Sequence, residues 1–293
     1  MLDEKARYFY GKLLRNRPLE LPSMIARRLR EVVSTPPKGL ARTRFGSVIF
    51  DVDTTLHALA RKYYFKTHEM FMDSVIGRFA KPGTIFIDVG ANMGYWSAFA
   101  LDKIGPTGEI YAFEPIPAFF ENVERLKTNN PSRRVFANNQ ACGAHNGEIT
   151  MDVVEPTEDN YDNFNVNIGS SSALPHFLDH AKSLTKPIKV KVVRLDDYIE
   201  DMKIDIEKIG IIKIDVEGYE AYCFDGMKNI LGKPGKKVPI VCEILNDPAR
   251  LAELDGRKII SRLQDCGYTI LDATTLRPID VHSMMYEENI VCV

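Results

Sequence analysis

The stretch FIDVGANMGYWSAFAL, residues 86–101, constrains this chain more than any other. An apolar run ends near Asp88, passes through the small residues Gly90, Ala91 and Gly94, and continues into a segment rich in large side chains. A strand that enters a helix through such a turn opens a doubly wound α/β sheet, in which ligands lie beyond the carboxyl ends of the strands and beside helix amino termini. A dinucleotide fingerprint with its first glycine at Gly90 also requires glycine at positions 92 and 95, where this chain has Asn92 and Tyr95. The turn therefore predicts a ligand without a pyrophosphate.

The same rhythm continues downstream. TIFIDVG, GEIYAFE and RRVFANN read as strands, with YWSAFALDKIG and IPAFFENVERLKTNN as the helices between them. GEITMDVVE and PIKVKVVRLDDYI alternate like the two antiparallel strands of an insert over about residues 147–194. Between them lies a polar stretch, residues 156–187, of a length that is usually functional and is expected to cover the ligand site. The α/β order then resumes with strand IGIIKIDVEG, helix EAYCFDGMKNIL, strand VPIVCEI, helix GRKIISRLQDCG, strand YTILDA and a closing apolar run, NIVCV. The organisation expected is a ligand-binding domain over residues 81–293 behind a helical, basic extension over residues 1–80, in which residues 56–80 form one long helix.

Charge is concentrated in that extension: its first 44 residues carry eleven Lys or Arg against four acids. Phe9 and Leu13, then Leu21, Ile25, Leu29 and Val32, recur at helical spacing. Such an arm suits packing on the main domain or on a second copy in a homo-oligomer, and alternatively contact with an anionic membrane surface. The whole chain has a net charge of −2, which gives no pull toward nucleic acid. No run approaches the ~18 apolar residues of a transmembrane segment, and the amino terminus has neither the apolar core nor the cleavage site of a secretory signal. Five scattered cysteines suit a reducing cytosol and oppose a structural zinc site, so a cytoplasmic location is expected.

The strand ends carry the candidate site. Glu114 closes the second strand about 20 residues past the glycine turn, where a carboxylate accepts hydrogen bonds from a ribose diol. Together with a turn lacking the pyrophosphate glycines, this favours a nucleoside without phosphates, and S-adenosylmethionine fits. Asn139 and Gln140, past the third strand, offer the donors and acceptors that an adenine edge requires, or simply cap a loop. The fourth strand ends in Lys213, Asp215 and Glu217, which alternation places on one face. They form either an ionisable cluster in use or a Lys213–Asp215 ion pair beside a helix-terminal carboxylate at Glu217. Glu243 ends the fifth strand. The six histidines show no metal-ligand spacing.

FIDVGANMGYWS, GEIYAFEPIP, VVRLDDYI, IIKIDVEGYE and PIVCEI, in this order, resemble the FkbM family of S-adenosylmethionine-dependent methyltransferases. The resemblance implies a class I methyltransferase fold, a Rossmann-like seven-stranded sheet of order 3-2-1-4-5-7-6 with the last strand antiparallel. It also implies methyl transfer to an oxygen, commonly a hydroxyl of a sugar, glycan or polyketide-type small molecule. Carried over by position, Asp88, Gly90, Asn92 and Gly94 line the methionine part of the cofactor, Glu114 holds the ribose, and Asn139 or Gln140 faces the adenine. Asp215 and Glu217 border the acceptor. Proton removal falls to Glu217 or Asp215, or to a divalent cation such as magnesium held by Asp215 and Glu243; His57, His68 and His176 are the reserve bases. A non-catalytic module that keeps the cofactor fold, and a nicotinamide-dependent oxidoreductase, are the rival readings.

Overall fold

The computed structural model of the protein describes residues 21–55, 59–154, 171–173, 185–235, 237–245, 256–279 and 287–293. Its centre is a seven-stranded sheet built from β3 (Ile85–Val89), β4 (Glu109–Phe113), β5 (Arg134–Asn138), β9 (Ile209–Ile214), β10 (Ile240–Leu245), β11 (Ile270–Asp272) and β12 (Glu287–Cys292). Across the sheet they run β11-β12-β10-β9-β3-β4-β5. Counted among themselves, the seven strands stand in the order 6-7-5-4-1-2-3, with β12 antiparallel to both of its neighbours. The order in which strands are added to the sheet reverses between β3 and β9, which run parallel, and the crevice for a ligand opens at that switch point.

Both faces of the sheet are covered, so the inner strands read as nearly continuous apolar runs. Phe86, Ile110, Ala112, Ile211 and Val241 point into one buried cluster, which includes Trp96, Phe99, Val123 and Leu126 from α4 (Tyr95–Ile104) and α5 (Pro117–Asn129). Ile87, Val89, Tyr111, Phe113, Ile212 and Ile214 point into the other, with Ile260 and Leu263 from α9 (Gly256–Asp265). Each fully buried Ile, Val or Phe contributes about 1.5–3 kcal/mol to holding these layers together.

The extension is not purely helical. After α1 (Leu21–Val33) comes a hairpin of β1 (Leu40–Phe45) and β2 (Val48–Asp53), joined by Gly46 and Ser47 with Gly46 at φ 51°. Glycine at the first turn position suits a two-residue hairpin. Phe45, Val48, Phe50 and Val52 belong to the same buried cluster as Trp96 and Phe99 of α4. The Asn130 side chain pairs with both backbone groups of Ile49, at 2.9 and 2.8 Å, which ties the hairpin to the end of α5. The expected boundary at residues 80/81 thus runs through a continuous core. Phe9 and Leu13 lie outside the described residues.

The single helix expected over residues 56–80 is two: α2 (Leu59–Phe65) and α3 (Met72–Phe79). Ala60, Tyr63, Phe65, Met70, Phe71 and Met72 are all buried, and one straight helix would spread them around its whole circumference. The chain turns instead, with Lys66 at φ 60° and Glu69 at φ 37°.

The insert is a three-stranded sheet in which β8 (Thr185–Val193) pairs antiparallel with β7 (Gly147–Val154) and parallel with β6 (Ala141–Cys142). The strand expected to continue through LDDYI stops at Val193, and residues Leu195–Asp201 form α6. There the Asp196 carboxylate accepts hydrogen bonds from the backbone N–H groups of Asn229 and Ile230, capping the start of the segment Lys228–Gly232. That segment is α8, separated from α7 (Glu220–Asp225), where one helix was expected. The break falls at Gly226, whose Cβ position would lie 2.0 Å from the Gly143 carbonyl oxygen. Among the described residues, no helix is long and apolar enough to cross a membrane.

Candidate cofactor and acceptor site

The tips of β3, β4, β9 and β10 open into a cavity of about 250 Å³. Gly90, at φ 75°, turns the chain over the end of β9 so closely that an added Cβ would lie 1.8 Å from the Asp215 carbonyl oxygen. Its N–H and that of Ala91 both donate to the Phe113 carbonyl, at 3.0 and 2.9 Å, which fixes the turn against β4. Asn92, itself left-handed at φ 52°, donates its backbone N–H to Glu114 Oε2 at 2.7 Å. The Ile116 N–H, at the start of α5, donates to Glu114 Oε1 at 2.9 Å.

Glu114 therefore joins the turn after β3 to the start of α5, and it lines the cavity. Burial pushes its carboxyl up to about 7, against the two backbone donors that favour the charged form. A carboxylate offers about four acceptor sites, so the two N–H groups leave room for two more donors.

Behind the turn, Asp88 and Lys213 sit side by side on adjacent strands. The Lys213 ammonium lies 2.9 Å from the Gly90 carbonyl oxygen, 3.1 Å from Asp215 and 3.6 Å from Asp88. Burial works against that ammonium, but the Asp215 and Asp88 carboxylates outweigh it and hold its pKa above the ordinary lysine value. Asp88 also accepts from the Ser97 hydroxyl at 2.6 Å, and burial raises its pKa despite Lys213. The arrangement is a buried, paired cation under the glycine turn, and breaking it would leave a charge uncompensated.

The loop after β9 carries Glu217 at φ 52°. The helix-terminal carboxylate that one reading assigned to Glu217 is Glu220. Its Oε1 accepts from the Val216 and Gly218 N–H groups at 3.2 and 3.1 Å, and burial raises it to about 7. Ser172, from the insert, donates to the Glu217 carbonyl oxygen at 2.8 Å. Ser171 and Ala173 reach the cavity wall beside it. Residues 156–170 and 174–184 of the polar stretch lie outside the described residues, as do His57 and His176, whereas Thr185–Val193 is strand β8.

Of the residues singled out from the sequence, His68, Gly90, Asn92, Glu114, Lys213, Asp215, Glu217 and Glu243 line this cavity. Asp88, Gly94, Asn139 and Gln140 are not among its lining. Asp88 stands behind Lys213. Gly94, at φ 80°, is the residue before α4 and faces Val123. The Asn139 amide donates to the Glu114 and Pro115 carbonyl oxygens at 2.9 and 3.1 Å, which is loop capping. Asp215 and Glu243 do not assemble with a third ligand: among the described residues, no group of three or more His, Cys, Asp or Glu is placed to hold a metal ion.

Sequence reasoning named His68 as a reserve base but not the wall to which it belongs: Leu59, Tyr63, His68 and Glu69 of the extension line the cavity together with Tyr95 and Trp96 of α4. The dense aromatic run Tyr63-Tyr64-Phe65 next to His68-Glu69 was the available signal.

Sheet order, crevice and buried carboxylate define a Rossmann-like α/β protein of the class I methyltransferase type. Residues 88–270 match the Methyltransferase FkbM domain, well over half of the chain, and the protein belongs to that family. The structure of methyltransferase FkbM from Methylobacillus flagellatus KT is similar at 13% identity and a TM-score of 0.43, over 80% of this chain and 54% of that one. This chain thus spans only about half the length of that relative. Aeropyrum pernix fibrillarin in complex with natively bound S-adenosyl-L-methionine is similar at 12% identity and a TM-score of 0.38, over 90% of this chain and 86% of that one. No curated protein matches the sequence.

Proposed function

We propose that the protein transfers the methyl group of S-adenosylmethionine to a hydroxyl of a sugar, glycan or polyketide-type small molecule. The observation that carries the cofactor assignment is Glu114, a buried carboxylate at the β4 tip with acceptor capacity left toward the cavity. Membership of the FkbM family supports the methyl transfer. The absence of glycine at positions 92 and 95 fits a nucleoside better than a pyrophosphate-bridged dinucleotide.

The residues present suit this group. Glu114 takes the ribose hydroxyls, and the backbone of Gly90 to Asn92 passes along the methionine part. Asp215, already oriented by Lys213, presents a carboxylate to an ammonium. When bound, the sulfonium supplies an activated methyl, so the protein is left with alignment and proton removal. Alignment of reacting groups alone is worth up to about 7–11 kcal/mol in the best cases. For the proton, Glu217 is the better placed of the two expected bases, because one oxygen of Asp215 is occupied by Lys213 at 3.1 Å.

Calorimetric titration with S-adenosylhomocysteine and, separately, with NAD tests the assignment. One-to-one binding of the former with no heat from the latter is expected. The reverse pattern would make the protein a nicotinamide-dependent one.

A further inference from the structure

Helix α1 is amphipathic in the opposite sense to a helix that merely covers a core. Its inner side is largely polar. Met24 enters the buried cluster, but beside it Arg27 pairs with Asp73 at 2.7 Å and donates to the Lys66 carbonyl oxygen at 3.0 Å. Glu31 is buried and accepts from Arg28. Arg61 of α2 donates to the carbonyl oxygens of Glu31 and Ser34, the latter at 2.8 Å, and so holds the end of the helix. These contacts fix which side of α1 points outward.

The outer side is apolar. Ile25, Leu29 and Val32 recur at i, i+4 and i+7 and form one stripe, with Val33 beside it. They are 48%, 59%, 77% and 78% exposed. Among the described residues six large apolar side chains are exposed, and four of them are these. Scattered apolar residues at a surface need no account, whereas a contiguous row of them marks a contact surface.

Charge says what that surface meets. At helical spacing Arg28 and Arg30 flank the stripe, one on each side. The only acid of the helix, Glu31, is turned inward. The first 44 residues carry eleven Lys or Arg against four acids, in a chain whose net charge is −2. An apolar row edged by arginines suits the boundary between acyl chains and anionic headgroups, where the apolar side chains enter and the guanidinium groups stay at the phosphates. A second copy of the chain would set the same arginines against one another, and a nucleic acid would leave the apolar row in water.

We propose that α1 docks the protein on the surface of an anionic phospholipid bilayer, lying in the plane of the interface with Ile25, Leu29, Val32 and Val33 turned into it. The docking is peripheral and reversible. It draws on two sources at once, the apolar area that leaves water and the attraction of the arginines to anionic lipid.

The full-length protein is sedimented with vesicles of phosphatidylcholine and phosphatidylglycerol in equal parts, and separately with vesicles of phosphatidylcholine alone. Partitioning at least about tenfold stronger onto the mixed vesicles is expected, falling as salt is raised from about 0.1 to about 0.5 M. Replacing Ile25, Leu29 and Val32 together by serine should weaken that partitioning about tenfold or more with Tm not lowered, because these side chains face water in the free protein. Leu29→Asp should do the same through a single change and serves where the triple variant does not fold. Arg30→Glu should weaken binding to the mixed vesicles about fivefold or more. Sedimentation velocity without vesicles addresses the rival occupant, and equal masses for the wild type and the serine variant are expected. A wild-type oligomer that the serine variant dissociates would make the stripe a subunit interface and overturn the proposal. Absence of binding to the mixed vesicles, equal binding to both kinds, or binding that neither the serine variant nor Leu29→Asp weakens would overturn it as well.

Discussion

Glu114 makes cofactor affinity depend on pH in a way that can be worked out beforehand. Its carboxyl is lifted to about 7 by burial, so at neutral pH close to half of the free protein carries it protonated. Ribose hydroxyls donate to the carboxylate and favour that form, so binding selects the ionised fraction. That fraction is about 0.9 at pH 8 and about 0.1 at pH 6, and apparent affinity scales with it. S-adenosylhomocysteine should bind roughly tenfold more weakly at pH 6 than at pH 8, about 1.4 kcal/mol. Glu114→Gln removes the titration. It also turns an amide N–H₂ toward either Asn92 N–H or Ile116 N–H, leaving one buried donor without an acceptor at a cost of about 1–3 kcal/mol. The variant should bind more weakly than the wild type at pH 8 and show none of the additional loss between pH 8 and 6. Isothermal titration calorimetry at pH 6, 7 and 8 measures both, and the difference between the two proteins cancels the ligand's own titration. An equal pH slope in the two proteins would refute the reasoning, as would full affinity in the variant.

Glu220 carries the corresponding stability effect. Its folded-state value of about 7 lies above the ordinary 4.5, so its contribution is complete below about 4.5 and is lost as pH rises through about 7. Glu220→Gln keeps an amide oxygen for Val216 and Gly218, so chemical denaturation should find it equal to the wild type at pH 5 and more stable by up to about 3 kcal/mol at pH 8. Lys213→Met strands Asp88 in the core and should destabilise the fold by about 3–5 kcal/mol, with Asp88→Asn in the same chain recovering most of it; destabilisation that the second change does not relieve would count against the pairing. Glu217→Gln should leave S-adenosylhomocysteine affinity within a few-fold while methyl transfer to an accepted substrate falls by about 10²-fold or more, and activity that survives EDTA would assign the proton to a side chain rather than to a metal.

The strand tips were legible because their signals are local. A turn of small residues after an apolar run, an acid about twenty residues on, and Lys-x-Asp-x-Glu at another strand end are read without knowing what packs against what. Glu114, Gly90 and Asp215 were found that way. Of the wall of Tyr63, His68 and Glu69, His68 was named only as a reserve base, because the wall is assembled by packing against Tyr95 and Trp96 of α4, and no periodicity reports such contacts. Glu217 and Glu220 were confused for a related reason. Strand alternation carried past Ile214 assigns Glu217 to a strand face, but its φ of 52° ends the alternation and passes the capping role to Glu220. Asp88 looked like a ligand contact, since neither its burial nor its register opposite Lys213 can be read from FIDVG. The long helix expected before residue 80 failed because buried residues on every side of a helix look, in sequence, like a strong helix.

A crystal structure of the protein with S-adenosylhomocysteine tests the central claim most directly. The account predicts both ribose hydroxyls within hydrogen-bond distance of Glu114, the homocysteine chain along Gly90 to Asn92 with its ammonium toward Asp215, and the sulfur facing the space between Glu217 and the Tyr63–Glu69 wall. A ligand seated elsewhere, or in this cavity with its ribose away from Glu114, would contradict it.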